Sequence, residues 1–142
     1  MTLWFKPYTL DDLLAEREKP TLATFLGMEF TELGPDYLKA TLPVNEKTRQ
    51  IHGILHGGAT CVLTETVGSV ASLLVVNPDT HRAVGSTIYT NHLRPTSEGF
   101  VTAICKPVHI GRTKHVWDIP VYNEAGKLTA RTELTCAVIE KV

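Results

Sequence analysis

Gln50-Ile51-His52-Gly53-Ile54-Leu55-His56-Gly57-Gly58, running straight into an apolar stretch over 59–76 that holds one carboxylate, Glu65, organises the rest of this chain. The glycine pair opens a helix and lets backbone N–H groups approach a ligand closely. The helix start aims a positive dipole end at whatever binds there. The pattern predicts a helix over about 57–76, stopped at Asn77-Pro78 because the residue before a proline is pushed out of helical geometry. At roughly 1.5 Å per residue it is about 30 Å long. Ala59, Val62, Leu63, Val67, Val70, Ala71, Leu74 and Val75 make it apolar around most of its circumference, so protein must wrap it on several sides. A glutamate in such a helix is expected to be buried, and that is costly unless it does chemistry. A polarising helix end and a lone carboxylate are the parts needed to hydrolyse an activated acyl group.

Away from this helix the hydrophobic period changes. Residues 28–33 and 37–42 alternate with period two around Gly34-Pro35-Asp36, which predicts a β-hairpin. Residues 43–50 are polar and read as a loop. Further upstream, Thr9-Leu10-Asp11-Asp12-Leu13-Leu14 reads as a short helix capped by Thr9, with acids in its first turn. Pro20 ends that unit, and residues 21–26 add a further helical turn closed by Gly27. Downstream come four strand-like segments, 83–92, 100–109, 114–122 and 128–139. Breaks fall at 95–99, at Gly111-Arg112 and at Asn123-Glu124-Ala125-Gly126. Short connections imply antiparallel neighbours, hence a four-strand meander. Hairpin, buried helix and meander together fit an α+β class, with a curved antiparallel sheet of about six strands wrapped around one central helix. No internal repeat, low-complexity tract or linker interrupts the pattern.

Composition bounds the partners. A chain of 142 residues suggests one domain over 1–142, able to bury roughly two-thirds of its unfolded surface. Apolar residues at 43% and charged residues at 20% are ordinary for a globular protein. With 14 basic against 15 acidic side chains, the basic excess of a duplex-binding protein is missing, so no nucleic-acid partner is expected. A local basic cluster can still hold a small phosphorylated ligand. Met1-Thr2-Leu3-Trp4-Phe5-Lys6-Pro7 does not read as a signal peptide. The apolar window 59–76 is broken by Thr60, Thr64, Glu65, Thr66, Ser69 and Ser72, which argues against a membrane span. Cys61, Cys105 and Cys136 are odd in number and widely spaced, as expected for reduced, buried thiols in the cytoplasm.

Gln50-x-x-Gly53-x-Leu55-His56-Gly57-Gly58, followed by Leu63-x-Glu65-Thr66-x-Gly68-Ser69, resembles the hot-dog-fold acyl-CoA thioesterases. Within them it is most similar to the branch that hydrolyses hydroxybenzoyl-CoA, dihydroxynaphthoyl-CoA and mis-loaded aryl carrier proteins of siderophore synthesis. The likeness covers almost the whole chain. It includes Leu26-Gly27, Ala40-Thr41-Leu42-Pro43-Val44, Asn91-His92-Leu93-Arg94-Pro95, Gly111-Arg112 and Val116-Trp117. The resemblance implies Glu65 as general base, activating water, or as nucleophile, forming a mixed anhydride. The plainer alternative is a glutamate salt-bridged at a helix–sheet boundary. Gly57 would polarise the thioester carbonyl through its N–H, while the two glycines would also serve a tight turn or close packing.

Nine residues, or about 13 Å along a helix axis, separate His56 from Glu65. One chain therefore does not easily bring its helix start and its carboxylate to one carbonyl. A second, antiparallel copy would, which predicts a two-fold homodimer with two shared sites. The resemblance implies the same arrangement, usually as a tetramer built from two such dimers. It also implies that Gln50 and His56 orient the thioester or the water. Ser69, one turn after Glu65, would hold the water or the carboxylate, or is simply a small residue at a helix contact. Coenzyme A is part of the substrate, with no separate cofactor. For its phosphates the candidates are His92, Arg94, Gly111 and Arg112, with Lys114 nearby but outside the matching motifs. Each of these charges could instead be a solvated loop residue. His52 and His56 have the i, i+4 spacing of a metal pair, but Gly53 argues against regular helix there and no Cys/His cluster completes a site, so no metal is expected.

The chain departs from the family pattern at Ile51-His52, where a proline–aromatic pair is frequent and where the family's acyl pocket is lined. Acyl specificity is therefore the least transferable expectation. Two rival functions are a hot-dog enoyl-CoA hydratase and a non-catalytic acyl-CoA-binding protein. The first needs a paired Asp and His that the helix region lacks, and the second could dispense with Glu65.

Overall fold

The computed structural model describes the backbone of residues 1–142 and every side chain except those of residues 16 and 17. Its elements are α1 (Leu10–Leu14), a 3-10 turn (Ala15–Glu18), α2 (Leu22–Phe25), β1 (Glu29–Leu33), β2 (Leu38–Pro43), α3 (Gly57–Val75), β3 (His81–His92), β4 (Phe100–Ile110), β5 (Lys114–Asn123) and β6 (Leu128–Glu140). The hairpin, the long helix and the four later strands lie where the patterning puts them, within two residues at each end. Thr21 caps α2 through the Thr24 N–H, and Gly27 ends the turn at φ +85°.

The strands form one antiparallel sheet in the order β1-β2-β4-β5-β6-β3. The expected four-strand meander therefore holds only for β4, β5 and β6. Strand β3 does not pair with β4. It lies at the far edge, against β6, from His81↔Glu140 to His92↔Ala130. Both sides of β4 are already taken by β2 and β5. The connection over 93–99 is long enough to cross the intervening strands, about 14 Å at the usual strand spacing. It is pinned along the way: Leu93 N–H and Arg94 N–H donate to the Thr129 carbonyl, and Leu55 N–H donates to the Thr96 carbonyl.

The sheet wraps α3, which packs on β2, β3, β4, β5 and β6. Burial alternates along the central strands, as period-two patterning requires. Leu38, Ala40 and Leu42 point inward from β2, Val101, Ala103 and Cys105 from β4, and Trp117, Ile119 and Val121 from β5. They meet Leu63, Val67 and Ala71 of α3, all fully buried. Helix and sheet pack tightly at Gly68, where a Cβ would lie 2.4 Å from Leu134 Cδ2. Although α3 is long and apolar enough to cross a bilayer, half of it is buried inside this fold.

Buried polar groups on α3 are matched to the sheet. Trp117 Nε1–H donates to Ser72 Oγ at 2.7 Å, and His115 Nδ1 lies 3.0 Å from the same oxygen. Thr132 Oγ1 donates to Thr64 Oγ1 at 3.0 Å and bonds Thr90 Oγ1 at 2.8 Å, which ties α3 through β6 to the edge strand. The N-terminal segment straps over the helix end, with Phe5 N–H on the Leu74 carbonyl and Trp4 Nε1–H on the Gly34 carbonyl.

Candidate active site

The loop before α3 is a tight turn, with Gly53 N–H donating to the Gln50 carbonyl at 2.9 Å and Gly53 at φ +80°. Ordinary side chains avoid that conformation. His52 and His56 consequently do not sit on a regular helix. His52 is exposed on the turn, and His56 is the N-cap of α3. Its Nδ1 accepts the Gly58 N–H at 2.7 Å. His56 therefore has a structural duty: it satisfies one of the orphan donors of the first helical turn.

Neither glycine of the pair has positive φ. Space requires them. A Cβ on Gly57 would lie 2.9 Å from His92 Nε2, and one on Gly58 would lie 2.9 Å from His56 Nδ1. The His92 imidazole thus rests against the helix start, and the Gly57 N–H has no acceptor among the described residues. Around it is a cleft of ≈450 Å³ lined by Gln50, Leu55, Gly57, Thr60, His92 and Arg94, among others. Four of the expected site residues, Gln50, Gly57, His92 and Arg94, are gathered here. An unbonded N–H at a helix start, with an imidazole beside it and an arginine at the rim, is equipped to bind an oxygen that gains negative charge.

Glu65 and Ser69 are not in this cleft. They lie about two and about three turns beyond Gly57 on α3, on the stripe Gly58, Val62, Glu65, Ser69 and Leu73, where Gly58, Glu65 and Leu73 are exposed and Val62 and Ser69 half-buried. Glu65 is exposed in the single chain, so its expected burial is not found. The sheet covers the opposite face of the helix, and β3 ends the sheet just beside Glu65. The carboxylate leans over Gly85 of β3, where a Cβ would lie 2.6 Å from Glu65 Oε1. Behind it on β6 is Cys136, register partner of Gly85. Burial pushes the Cys136 thiol up, and the Glu65 charge adds to that, while hydrogen bonds with Ser72 and Ser69 oppose it.

Gly85 was missed by reasoning from residue types, yet it makes the space Glu65 occupies. The available signal was a lone glycine inside a strand pattern, which marks a bulge or a close approach. The register does slip there, between Gly85 and Thr87. His115 was missed too, as a buried imidazole cannot be told from any other strand residue by pattern.

Gly111 and Arg112 lie at the β4–β5 turn, remote from the cleft. That turn joins the β6 end of the sheet through Val138 N–H on the Thr113 carbonyl, near the start of β3 at His81. His92 and Arg94 are at the other end of β3. The four candidates for coenzyme A therefore fall into two groups in one chain. Among the described residues no group of three His, Cys, Asp or Glu is placed to hold a metal ion.

Known proteins resemble this chain along nearly its whole length. The family model for the thioesterase superfamily matches residues 52–130. A 1,4-dihydroxy-2-naphthoyl-CoA hydrolase of Escherichia coli is 40% identical, over 96% of this chain and 99% of that one. A proofreading thioesterase of Cronobacter turicensis is 41% identical, over 96% of this chain and 98% of that one. The crystal structure of a mutant thioesterase from Pseudomonas aeruginosa superposes with a TM-score of 0.95 at 38% identity, covering 99% of this chain and all of that one.

Proposed function

Because the chain belongs to the thioesterase superfamily, we infer that it is a thioester hydrolase acting on acyl- or aryl-CoA, with each catalytic centre assembled from two copies of the chain. The observation that carries this reading is the separation within one chain. Glu65 sits over Gly85 beside an unpaired sheet edge, while the Gly57 N–H lies eight residues back, about 12 Å along the helix axis. Strand β3 is twelve residues long and exposes Val84, Ile88 and Tyr89. Such an edge invites pairing with another strand. Antiparallel pairing with a second β3 would set the Gly85 end of one strand against the His92 end of the other. Glu65 would then face Gly57 of the partner subunit, and Arg112 would approach Arg94 of the partner subunit, so that both groups of candidates could serve one coenzyme A.

In this arrangement the thioester oxygen accepts from Gly57 N–H while Glu65 acts from the opposite side. As a base, Glu65 takes a proton from water as the water oxygen bonds to the carbonyl carbon. The C–S bond then breaks, and the proton passes to the departing thiolate, giving free acid and thiol. As a nucleophile, Glu65 displaces the thiolate itself, and water cleaves the resulting anhydride. Gln50 would orient the thioester and Ser69 the water or the carboxylate. We extend the proposal to a tetramer of two such dimers, and to a reducing compartment such as the cytoplasm, which suits the three free cysteines.

The test follows thiol release from a panel of alkyl-, aryl- and enoyl-CoA thioesters. Glu65→Gln is expected to lower kcat by about 10³-fold or more. Unchanged turnover would sink the mechanism, and water addition to the enoyl substrate would mark a hydratase instead. Mixing inactive Glu65→Gln with inactive Gly57→Val chains should restore activity in hybrid dimers. No rescue after confirmed subunit exchange would overturn the shared site.

A further inference from the structure

A row of buried polar side chains stands behind Glu65, and no step of the mechanism above uses it. Ser72 on α3, His115 on β5 and Cys136 on β6 are each at most 1% exposed. Cys136 is the register partner of Gly85 on β3 and of His115 on β5. It therefore lies between the imidazole and the glycine over which Glu65 leans. On α3, Ser69 comes four residues after Glu65 and three before Ser72, so it neighbours both on the helix surface. Cys136 hydrogen-bonds with both serines. The row runs His115, Ser72, Cys136, Ser69, from the closed interior to the side of the Glu65 carboxylate.

Hydrogen-bonding capacity sets the direction of this row. Trp117 Nε1–H can only donate, and it donates to Ser72 Oγ at 2.7 Å. A serine hydroxyl has two lone pairs and one proton, and the indole fills one lone pair. His115 Nδ1, at 3.0 Å, takes either the second lone pair or the proton. Burial holds the imidazole below its ordinary pKa, so at pH 7 it is neutral and carries one proton. With that proton on Nδ1, the second lone pair is filled and the Ser72 O–H donates to Cys136 Sγ. The thiol then donates to Ser69 Oγ, and the Ser69 O–H is left for the site. With the proton on Nε2, Nδ1 consumes the Ser72 O–H instead. The thiol donates back to Ser72, and the Ser69 O–H is drawn to the sulfur. An ionised carboxylate can only accept, so the first direction alone serves Glu65.

We propose that His115, with its proton on Nδ1, orients this row, and that Ser72 and Cys136 are positioning residues holding the Ser69 hydroxyl as a donor toward Glu65 or its water. The proposal rests on the hydrolase reading above and adds residues which that reading does not use. None of the three touches substrate, and each acts through Ser69. No proton moves along the row, because each stays on its own heavy atom. What the row supplies is orientation of one hydroxyl at the reacting groups. Its loss therefore falls on kcat, while KM, set by contacts elsewhere, stays.

Three variants and one spectrum test it. Cys136→Val and Cys136→Ala remove the sulfur's hydrogen bonds and keep the position apolar. Cys136→Ser keeps a donor and an acceptor there. The substrate is the thioester of the panel above with the highest kcat/KM, and melting curves confirm that each variant folds. The Val and Ala variants should lose about tenfold in kcat, as one lost hydrogen bond allows, with KM within about twofold. Cys136→Ser should hold kcat within about twofold, because it rebuilds the row. Separately, nitrogen-15 spectra of histidine-labelled protein at pH 7 should show the proton on Nδ1 of His115, its signals assigned by their loss in His115→Gln. Unchanged kcat in the Val and Ala variants, an equal loss in all three variants, or a proton on Nε2 overturns the row and leaves the hydrolase standing. A native chain that releases no thiol from any thioester of the panel overturns the hydrolase reading, and the positioning role with it.

Discussion

At the scale of single residues, four glycines do one kind of work for four different neighbours. Gly57 leaves room for His92, Gly58 for the His56 cap, Gly68 for Leu134 and Gly85 for the Glu65 carboxylate. Gly85→Ala would set a methyl 2.6 Å from Glu65 Oε1. The carboxylate is the free end of a flexible chain, so it moves aside cheaply. We expect stability to change by less than about 0.5 kcal/mol while kcat falls about 10²-fold through misplacement of the carboxylate. Steady-state kinetics beside urea unfolding would check both halves, and unchanged kcat would remove Gly85 from the site. His115 makes a second prediction. Burial holds its imidazole below the ordinary value of 6.5, with His109 adding a little. The unfolded chain therefore takes up a proton near pH 6.5 that the fold resists. Stability is unaffected above that pH and is lost as pH falls below it, down to the lower folded value. His115→Gln should remove this acid slope in melts between pH 7.5 and 5, and a persisting slope would assign it to another group.

At the scale of the element, α3 carries the fold and the site on different faces. One face buries Leu63, Val67 and Ala71, and the other exposes Glu65 and Leu73 beside half-buried Val62 and Ser69. Its period and its glycine start were readable as sequence, and its bounds, Gly57–Val75, differ from the expected ones by one residue. The cap was not readable, because histidine is an uncommon N-cap and only the folded loop brings Nδ1 to Gly58 N–H. His56→Ala should cost about 1 kcal/mol of stability, and His56→Asn should restore it by supplying another acceptor. Denaturant unfolding measures this. Activity that stays low in the Asn variant would assign the imidazole a role at the thioester in addition to its cap.

At the scale of the whole molecule, the placement of β3 decides most. As a meander strand beside β4 it would be interior. As the outer edge next to β6 it exposes Ile88 and Tyr89 and stands beside Glu65. Ile88→Pro, which removes an N–H and blocks strand addition, should give a folded monomer with thiol release lowered at least 10²-fold. Light scattering with the assay checks it. A fully active monomer would overturn the shared centre.

Local pattern sufficed for the elements, because the periods of helix and strand are written in residue order and Gly, Pro and Asn mark the breaks. It sufficed also for Gly57 and Glu65 as candidates, because a lone carboxylate in an apolar helix and a glycine pair at its start are chemically unusual, whereas Gln50 stood out only through the resemblance to the thioesterase motif. Strand order lay beyond it: the seven-residue connection over 93–99 is compatible with adjacency or with a crossing, and only competition for the two sides of β4 resolves which. The same holds for the partners of each glycine, for the exposure of Glu65, and for the row that joins His115 to Ser69. Those follow from which surfaces meet in space, a property of packing between residues far apart in the chain.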